Sequence, residues 1–290
     1  MWLADNLASF SLHLAVLFAL AALGLMLSGS LRSGIAAAIA GLPFAAMVAD
    51  AAINGAPVAA CPAALTRFEV ASINLLEDNR NFDAAIGFVS ETKPDIVAFQ
   101  EAVGGWNRAL DRLDAIYPYR AEARGGSTRL LSRHPLVSEP IIRVVPSLYR
   151  SVAADIDIGG TVLRVVAVHF LKPETASNRS HRSRQMAEIR AFVANSRLPA
   201  IVMGDFNAAP TSFDFRALVD DPPLRAPALQ MPPVSTWPAR FPGLGIQIDH
   251  ILTTDRISFE SVAAGPDVGS NHLPVTARLA IHGDGGCGSG

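Results

Sequence analysis

Residues 198–207 read LPAIVMGDFN, an apolar run that ends in the tetrad GDFN. The run is short and apolar and contains adjacent β-branched side chains, which predicts a buried strand. Gly204, Asp205 and Asn207 stand where this strand gives way to a loop. Because such loops are held by a rigid scaffold and still reach solvent, the stretch is a candidate functional site.

The same arrangement recurs along the chain, with polar side chains at the ends of apolar strands. Asn74 follows a strand predicted over 67–73, Gln100-Glu101 follows one over 95–99, and His169 ends another. Taken singly, each has an ordinary structural explanation, such as a turn former or a hydrogen-bonded core histidine. The weight comes from the whole set, which is Asn74, Glu101, His169, Asp205, Asn207, Asp249, Asn271 and His272.

A hard cation prefers carboxylate and amide oxygens, and four members of this set are the first candidates to supply them. They are Asn74, Glu101, Asp205 and Asp249. Hydrolysis of a phosphoric ester needs a metal, a base for the attacking water, and donors for the developing negative charge. The set therefore indicates phosphoryl chemistry.

Strand-like and helix-like segments alternate from residue 67 onward, which indicates an α/β fold. Gly159-Gly160 separates two strand-like segments, 151–158 and 162–170, and is a strong hairpin signal. The hairpin argues against a purely parallel sheet, so we predict two packed mixed sheets with flanking helices. Residues 222–242 contain seven prolines and are expected to form a long irregular loop. Helices are predicted over 82–92, 106–116 and 179–195.

The composition of the 290-residue chain is compatible with a membrane anchor, since 50% of the residues are hydrophobic and the mean hydropathy is +0.30. It excludes a disordered, collagen-like or disulfide-rich chain. The net charge of −2 argues against a protein that coats nucleic acid.

The first 66 residues carry only three charged side chains, Asp5, Arg32 and Asp50. Two uncharged runs, 6–31 and 33–49, are separated by a Ser-Gly-Ser break and Arg32. A bilayer core needs about 20 apolar residues in a helix, so we predict a hairpin of two transmembrane helices. A secretory signal peptide is the rival interpretation, but it needs a basic start that this chain lacks.

The predicted organisation has four parts, and Arg32 sets its orientation because basic residues favour the cytoplasmic side. In a bacterial cell, the domain would then lie on the periplasmic side of the inner membrane. The parts are a transmembrane helical hairpin over 1–55, a linker over 56–66, a catalytic domain over 67–282 and a disordered glycine-rich tail over 283–290.

Two cysteines, Cys61 and Cys287, flank the predicted domain. A disulfide between them fits an extracytoplasmic location, but the glycine-rich tail favours an unstrained or absent link. Val58–Cys61 also faintly resembles a lipoprotein cleavage box, and lipidation at Cys61 is the weaker alternative.

The motifs resemble those of the endonuclease/exonuclease/phosphatase family, which includes pancreatic deoxyribonuclease, exonuclease III-type enzymes, inositol-phosphate 5-phosphatases and neutral sphingomyelinases. The similarity covers about residues 67–281, and GDFN and Gln100-Glu101 are its most specific parts. The two-helix leader is similar to that of membrane-anchored bacterial members. The resemblance implies a four-layer α/β sandwich and Mg²⁺-dependent hydrolysis of phosphoric esters, with Mn²⁺ as an alternative ion.

The resemblance also implies a role for each residue of the set. Glu101 is expected to be the principal Mg²⁺ ligand, with Asn74 beside it and Asn271 as a further oxygen donor. Asp205 is expected to orient or deprotonate the attacking water, and Asn207 to donate to the phosphate.

The three remaining residues are expected to act on the phosphoryl group. His272 would stabilise the pentacovalent phosphorus, and Asp249 would accept a hydrogen bond from its other ring nitrogen. His169 would contact the phosphate or the leaving oxygen, whereas His250 is expected to be structural.

The last motif departs from the family, which often has Ser-Asp-His where this chain has Ser270-Asn271-His272. The missing charge is expected to weaken metal affinity and to disfavour a second metal. It also leaves open a catalytically silent module that binds a phosphorylated ligand at the membrane. The substrate stays open among nucleic acid, a phospholipid headgroup and a small organic phosphate, and no protein partner is evident.

Overall fold

Two mixed β-sheets face each other across a shared apolar core, and helices cover their outer faces. The computed structural model describes residues 2–122, 126–148, 151–283 and 287. Most of the tail predicted over 283–290 lies outside the described residues.

The helices and strands follow one another in the order that the alternating sequence pattern indicates. The helices are α1 (Trp2–Ser9), α2 (Ser11–Leu27), α3 (Leu31–Ile53), α4 (Phe82–Thr92), α5 (Trp106–Ala109), α6 (Ala176–Ala194) and α7 (Phe213–Val219). The strands are β1 (Ala64–Asn74), β2 (Ile96–Gln100), β3 (Tyr119–Glu122), β4 (Arg129–Ser132), β5 (Ile141–Ile142), β6 (Ser151–Ile158), β7 (Thr161–His169), β8 (Ala200–Asp205), β9 (Asp249–Thr253), β10 (Ile257–Ala264) and β11 (Val275–His282). Short 3-10 helices lie at Leu110–Leu113 and Pro242–Leu244.

The six-stranded sheet has the order β10-β11-β1-β2-β4-β3, and the five-stranded sheet has the order β5-β6-β7-β8-β9. Each sheet contains one parallel pair, β1 with β2 and β7 with β8. Parallel neighbours end at the same edge, so residues that follow them meet there. The predicted fold of two packed mixed sheets with flanking helices is confirmed, and Gly159-Gly160 joins β6 to β7 as a hairpin.

The inner faces of the two sheets form the central core from alternating apolar side chains. Val70 and Ile96 of one sheet lie in the same buried cluster as Val165, Met203 and Ile251 of the other. Their alternate neighbours on β1, β2, β7 and β8 point outward and pack under helices. Burial on both faces makes these central strands rigid supports for the loops that follow them.

Several elements differ from the sequence prediction. The helix predicted over 106–116 consists of α5, with four residues, followed by the 3-10 helix Leu110–Leu113. The edge strands β3 and β5 have four and two residues, too few for a periodic pattern. A register shift between Phe259 and Ser261 interrupts the alternation of β10, which sequence analysis also missed.

Three helices, rather than two, form the N-terminal region. α1 meets α2 at an angle of 76°, and α2 and α3 form a helical hairpin. Gly41 allows their close approach, because a Cβ there would lie 2.8 Å from Cβ of Phe18. By length and composition α3 is sufficient to span a membrane, whereas α1 and α2 qualify only as a bent pair.

The segment predicted as a linker, 56–66, runs along the sheet domain and is hydrogen-bonded to it. Ala56 N donates to Ala226 O at 2.8 Å, and Ala59 N donates to Phe259 O at 3.0 Å. β1 begins at Ala64, three residues before the predicted domain border. The hairpin therefore joins the domain through a paired segment and not through a free tether.

A disulfide joins Cys61 to Cys287 across 226 residues of chain, so of the expected alternatives, an unstrained or an absent link, the absent one is wrong. The strand pairing explains the contact, because Ala64 at the start of β1 lies opposite His282 at the end of β11. Both cysteines therefore leave the sheet at one edge. The bonded sulfur also contradicts lipidation of Cys61.

Reduction of this disulfide is expected to lower the free energy of unfolding, by up to about 5 kcal/mol in the chain-entropy account of so long a loop. The measurement is the thermal midpoint of the full chain, purified from an oxidising compartment, with and without reductant. The Cys287→Ser variant is the control and should melt at the reduced midpoint under both conditions. Two alkylatable thiols in the unreduced wild type would contradict the bond.

Candidate active site

Backbone pairing sets three candidate residues side by side at one edge of the five-stranded sheet. His169 at the end of β7 pairs with Asp205 of β8, and Asp205 pairs in turn with Asp249 of β9. In the facing sheet, Asn74 of β1 pairs with Gln100 of β2, the residue before Glu101. The strand ends of both sheets thus contribute to one group of polar side chains.

Gly204 allows the close approach of β8 to β7. It has a φ of 152°, and a Cβ there would lie 1.9 Å from the carbonyl oxygen of Val168. Beyond it, Asn207 has a φ of 48°, and Glu101 has a φ of 56°. Positive φ is uncommon for residues other than glycine and recurs where the surrounding structure fixes a functional side chain.

The carboxylates of Glu101 and Asp205 share one hydrogen-bond donor. Asn74 Nδ2 donates to Glu101 Oε1 at 3.3 Å and to Asp205 Oδ2 at 3.0 Å. His169 Nε2 lies 3.9 Å from Glu101 Oε1 and 3.5 Å from Asp205 Oδ2. Asp205, Asn74 and His169 are buried, whereas Glu101 is partly exposed. The pair is therefore open to solvent on the Glu101 side.

These two carboxyl groups have opposite pKa shifts. Burial acts to raise the pKa of Glu101, but the hydrogen bond from Glu77 N and neighbouring positive charge outweigh it, so the pKa is lowered. Burial raises the pKa of Asp205, with His272 opposing the shift and Asp249 adding to it. The Glu101 carboxylate therefore stays ionised more readily, whereas the Asp205 carboxylate accepts a proton more readily.

His272 and Asp249 form a buried pair at the same edge. His272 Nδ1 lies 2.8 Å from Asp249 Oδ2, and His272 Nε2 lies 4.0 Å from Asp205 Oδ2. Burial acts to lower the pKa of His272, but the charge and hydrogen bond of Asp249 outweigh it and raise the pKa to about 9. The Ser270 hydroxyl accepts from His272 N at 3.1 Å, and the Thr236 hydroxyl accepts from Asp249 N at 3.1 Å.

Two overlapping groups of side chains carry atoms that could ligate a cation. Asp205, Asp249 and His272 have ligand atoms within 4.8 Å of one another, but Asp249 already holds His272 Nδ1. Glu101 and Asp205 have carboxylates on either side of one amide and are accessible from solvent. Two carboxylates so close, one of them buried, need nearby positive charge, so the donor set fits a divalent cation between Glu101 and Asp205.

Asn74 lies beside Glu101, as expected, whereas the Asn271 side chain makes no hydrogen bond with either carboxylate among the described residues. Asn74 Oδ1 accepts from Leu76 N at 3.0 Å, so the amide turns its N–H group toward the carboxylates. The Asn271 side chain is exposed and has no hydrogen-bond partner among the described residues. Its expected role as a further oxygen donor to the metal stays a prediction. Asn271 lines an adjoining cavity of about 380 Å³ with Asn207 and His272.

Asn207 lies between the carboxylates and this cavity. Its backbone N donates to Asp205 Oδ1 at 2.8 Å, and its side-chain Nδ2 donates to Asp205 Oδ2 at 3.2 Å. Nδ2 also donates to Phe170 O at 3.0 Å. The amide is thus held with its N–H group directed at the site.

His250 lies outside this group of side chains, in line with the structural role expected for it. Its Nε2 lies 2.8 Å from Ala208 O, and its ring packs against Phe206 and Phe215. Burial lowers the pKa of His250 to about 3, so the ring is neutral.

Sequence reasoning missed two residues at the site. Thr236 lies in the proline-rich loop, where no spacing marks it, yet its hydroxyl holds the start of β9. Lys172 lines the cavity, and its closeness in sequence to His169 is the one signal that could have indicated it.

The chain belongs to the Endonuclease/Exonuclease/phosphatase family, which it matches over residues 71–272. Membership makes the protein a metal-dependent hydrolase of phosphoric esters. No curated protein sequence matches the chain.

Solved structures share the fold at low sequence identity. D. rerio TDP2 complexed with a single-strand DNA product is 15% identical, with 74% of this chain and 100% of that chain covered and a TM-score of 0.62. A Staphylococcus aureus beta toxin with bound magnesium ions is 20% identical, with 75% and 100% covered and a TM-score of 0.59. A Bacteroides thetaiotaomicron mannosyl-6-phosphatase is 16% identical, with 74% and 100% covered and a TM-score of 0.60.

Removal of the charge of Asp249 is expected to lower the pKa of His272. In Asp249→Asn the imidazolium loses its partner while burial still opposes its charge, so the pKa should fall by at least ~1 unit. The measurement is histidine side-chain NMR titration of the full chain in detergent, with His272→Gln to assign the resonance. Asp83→Asn, an exposed acid paired with Arg112, is the matched control. An unchanged pKa in Asp249→Asn would contradict the pairing.

Proposed function

We propose that the protein is a membrane-anchored, Mg²⁺-dependent phosphohydrolase that cleaves a phosphodiester or phosphomonoester. The observation that supports this most directly is the convergence of Glu101, Asp205 and the His272–Asp249 pair at one edge of the sandwich. Mn²⁺ is the alternative ion, since both are hard cations that take oxygen ligands.

Glu101 is proposed as the principal metal ligand. Its carboxylate keeps its charge, because Glu77 N holds one oxygen at 3.0 Å and Asn74 approaches the other. A cation at this position supplies Lewis-acid polarisation of a phosphoryl oxygen. With a cation bound, a flip of the Asn74 amide would turn its oxygen toward the ion, at the cost of the hydrogen bond that Oδ1 accepts from Leu76 N.

Asp205 is proposed to orient the attacking water and to take its proton. Its raised pKa suits a base, and Asn207 N holds one of its oxygens in place at 2.8 Å. Asn207 Nδ2 is proposed to donate to the phosphate as the substrate enters. His169, which lies 3.5 Å from Asp205, is proposed to contact the phosphate or the leaving oxygen.

His272 is proposed to stabilise the negative charge that develops on the phosphoryl oxygens. With a pKa of about 9 it is an imidazolium at neutral pH, and Asp249 holds Nδ1 so that Nε2 faces the site. A preorganised, buried cation is worth more to a developing anion than to the ground state.

The alternative of a silent binding module rested on the charge missing at Asn271. That side chain makes no hydrogen bond to the carboxylates or to His272 among the described residues, so its neutral character leaves those contacts intact. We therefore favour an active enzyme.

Membrane anchoring is proposed through α2 and α3, with the domain on the extracytoplasmic side of a bacterial inner membrane. α3 is apolar enough to span, and Arg32 lies at the far turn of the hairpin. The Cys61–Cys287 disulfide supports an oxidising compartment.

Charge removal at the two carboxylates is expected to separate their roles. Glu101→Gln should raise the Mg²⁺ concentration for half-maximal rate at least ~10-fold, and Asp205→Asn should lower kcat by roughly 10²–10⁴-fold. The assay is hydrolysis of bis(p-nitrophenyl) phosphate across a Mg²⁺ series with the full chain. Glu91→Gln, the same change at an exposed acid of α4, is the matched control. Wild-type rates in both site variants, or no turnover by the wild type, would contradict the proposal.

Orientation is testable by fusing alkaline phosphatase after residue 290 in a Glu101→Gln background, which limits the chain's own activity. The reporter folds only in an oxidising compartment, so activity is expected. An inactive but full-length fusion would place the domain on the cytoplasmic side.

A further inference from the structure

We propose that α1 and the 3-10 helix Pro242–Leu244 form a membrane-contact surface that sets the active-site opening at the lipid headgroups, so that the substrate is a lipid phosphoester of the same bilayer. The inference rests on the proposed function and names its substrate class. The surface consists of Leu3, Leu7, Phe10, Phe241 and Leu244.

One face of α1 is fixed to the domain by buried polar contacts. Asp5 Oδ1 accepts from Asp214 N at 3.1 Å, and Asp5 Oδ2 pairs with Arg182, which also binds Asp214 Oδ2 at 2.9 Å. Trp2 Nε1 donates to Pro173 O at 2.6 Å. α1 therefore has a single orientation on the domain.

The opposite face of α1 is apolar and exposed. Leu3 and Leu7 of α1 and Phe10, which follows the helix, recur at helical spacing and are 66%, 51% and 40% exposed. α1 meets α2 at 76°, so α1 lies close to the membrane plane if α2 crosses the bilayer along its normal. An apolar face parallel to the bilayer surface is typical of an interfacial helix.

A second exposed apolar element lies beside the start of α2. Phe241 and Leu244 are 55% and 73% exposed, and Leu244 O lies 2.9 Å from His13 Nε2. The spanning hairpin, α1 and this 3-10 helix are therefore continuous. The bilayer that holds the hairpin is the partner that covers all three, since burial of each apolar side chain there is favourable.

The cavity beside the catalytic residues reaches this surface at Phe10. Asn6, Ser9 and Phe10, at the junction of α1 and α2, line it together with His272 and Asn207. A substrate that reaches His272 by this route passes the junction that enters the membrane. The route suits a molecule whose phosphate reaches inward while its apolar part stays in lipid.

The charges around this cavity favour a lipid over a polynucleotide. Among the described residues that line it, Lys172 is the one lysine or arginine, and the acidic Glu174 lies beside it. A single cation matches one headgroup phosphate, whereas a nucleic-acid strand is held by a basic track along its backbone.

The contact surface is tested by depth-dependent quenching. Full-length Leu7→Cys and Leu244→Cys, labelled with bimane, are reconstituted in phosphatidylcholine–phosphatidylglycerol vesicles with and without brominated acyl chains. Both labels should be quenched, whereas Leu65→Cys should not. Leu65 is 67% exposed but lies at the other end of β1 from Asn74. Equal quenching of all three labels, or none, would overturn the surface.

The substrate class is tested by activity. Wild type, Leu7→Gln, Leu244→Gln and the control Leu65→Gln are assayed with Mg²⁺ on the same vesicles, on single-stranded DNA and on bis(p-nitrophenyl) phosphate. Both surface variants should lose about tenfold or more in the rate on vesicle phospholipid, because a polar side chain no longer partitions into lipid. Their rates on the soluble diester should stay at the wild-type level.

The outcomes separate this inference from the proposed function. Hydrolysis of the soluble diester or DNA without hydrolysis of phospholipid would overturn the lipid substrate and leave the phosphohydrolase standing. Phospholipid turnover that is equal in all variants would overturn the role of the surface. No hydrolysis of any substrate would overturn the proposed function itself, and the quenching result would still decide the membrane contact.

Discussion

The site depends on the strand register that places Asp205 directly opposite His169 on one side and Asp249 on the other. Successive side chains of a strand point to opposite faces, so a register shift of one residue would turn Asp205 away from Glu101. Gly204 makes the close approach possible, since any Cβ would collide with Val168. The geometry is therefore set by backbone hydrogen bonds in a buried sheet and does not depend on the side-chain contacts of the site.

That rigid sheet edge holds several carboxylates close together, an arrangement that their mutual repulsion would otherwise disfavour. Asp205 and Asp249 are buried, and Glu101 approaches Asp205 through a shared amide. The positive charge of His272 lies beside Asp249 and Asp205, which matters because buried carboxylates are costly without a partner. Backbone conformations of positive φ at Glu101 and Asn207 add strain at the same place. Stability for this arrangement comes from the apolar core beneath it.

The sequence allowed the prediction of residues that follow long, buried strands, since periodicity marks the strand and the polar residue marks its end. Asp205, His169 and Glu101 belong to this class. Contacts that depend on irregular segments could not be predicted, because such segments have no periodic pattern. Thr236 lies in a loop without a pattern, and Asn271 lies with an exposed side chain in the irregular segment before β11. The partners Asp5 and Arg182 are 177 residues apart, which no local signal records.

The contacts of Arg182 bear on the rival interpretation of the N-terminal region as a cleaved signal peptide. Arg182 is buried, binds Asp5 and Asp214, and also donates to the backbone oxygen of Asn207. Loss of α1 would remove Asp5, one of the two carboxylates that pair with Arg182. It would also expose the Arg182 guanidinium to solvent next to Asn207. The end of α3 is held as well, since Ala51 O accepts from Leu229 N at 3.0 Å. A segment that completes a buried ion cluster and pairs with the domain at both ends of the hairpin is part of the folded protein, which argues against its removal as a signal peptide.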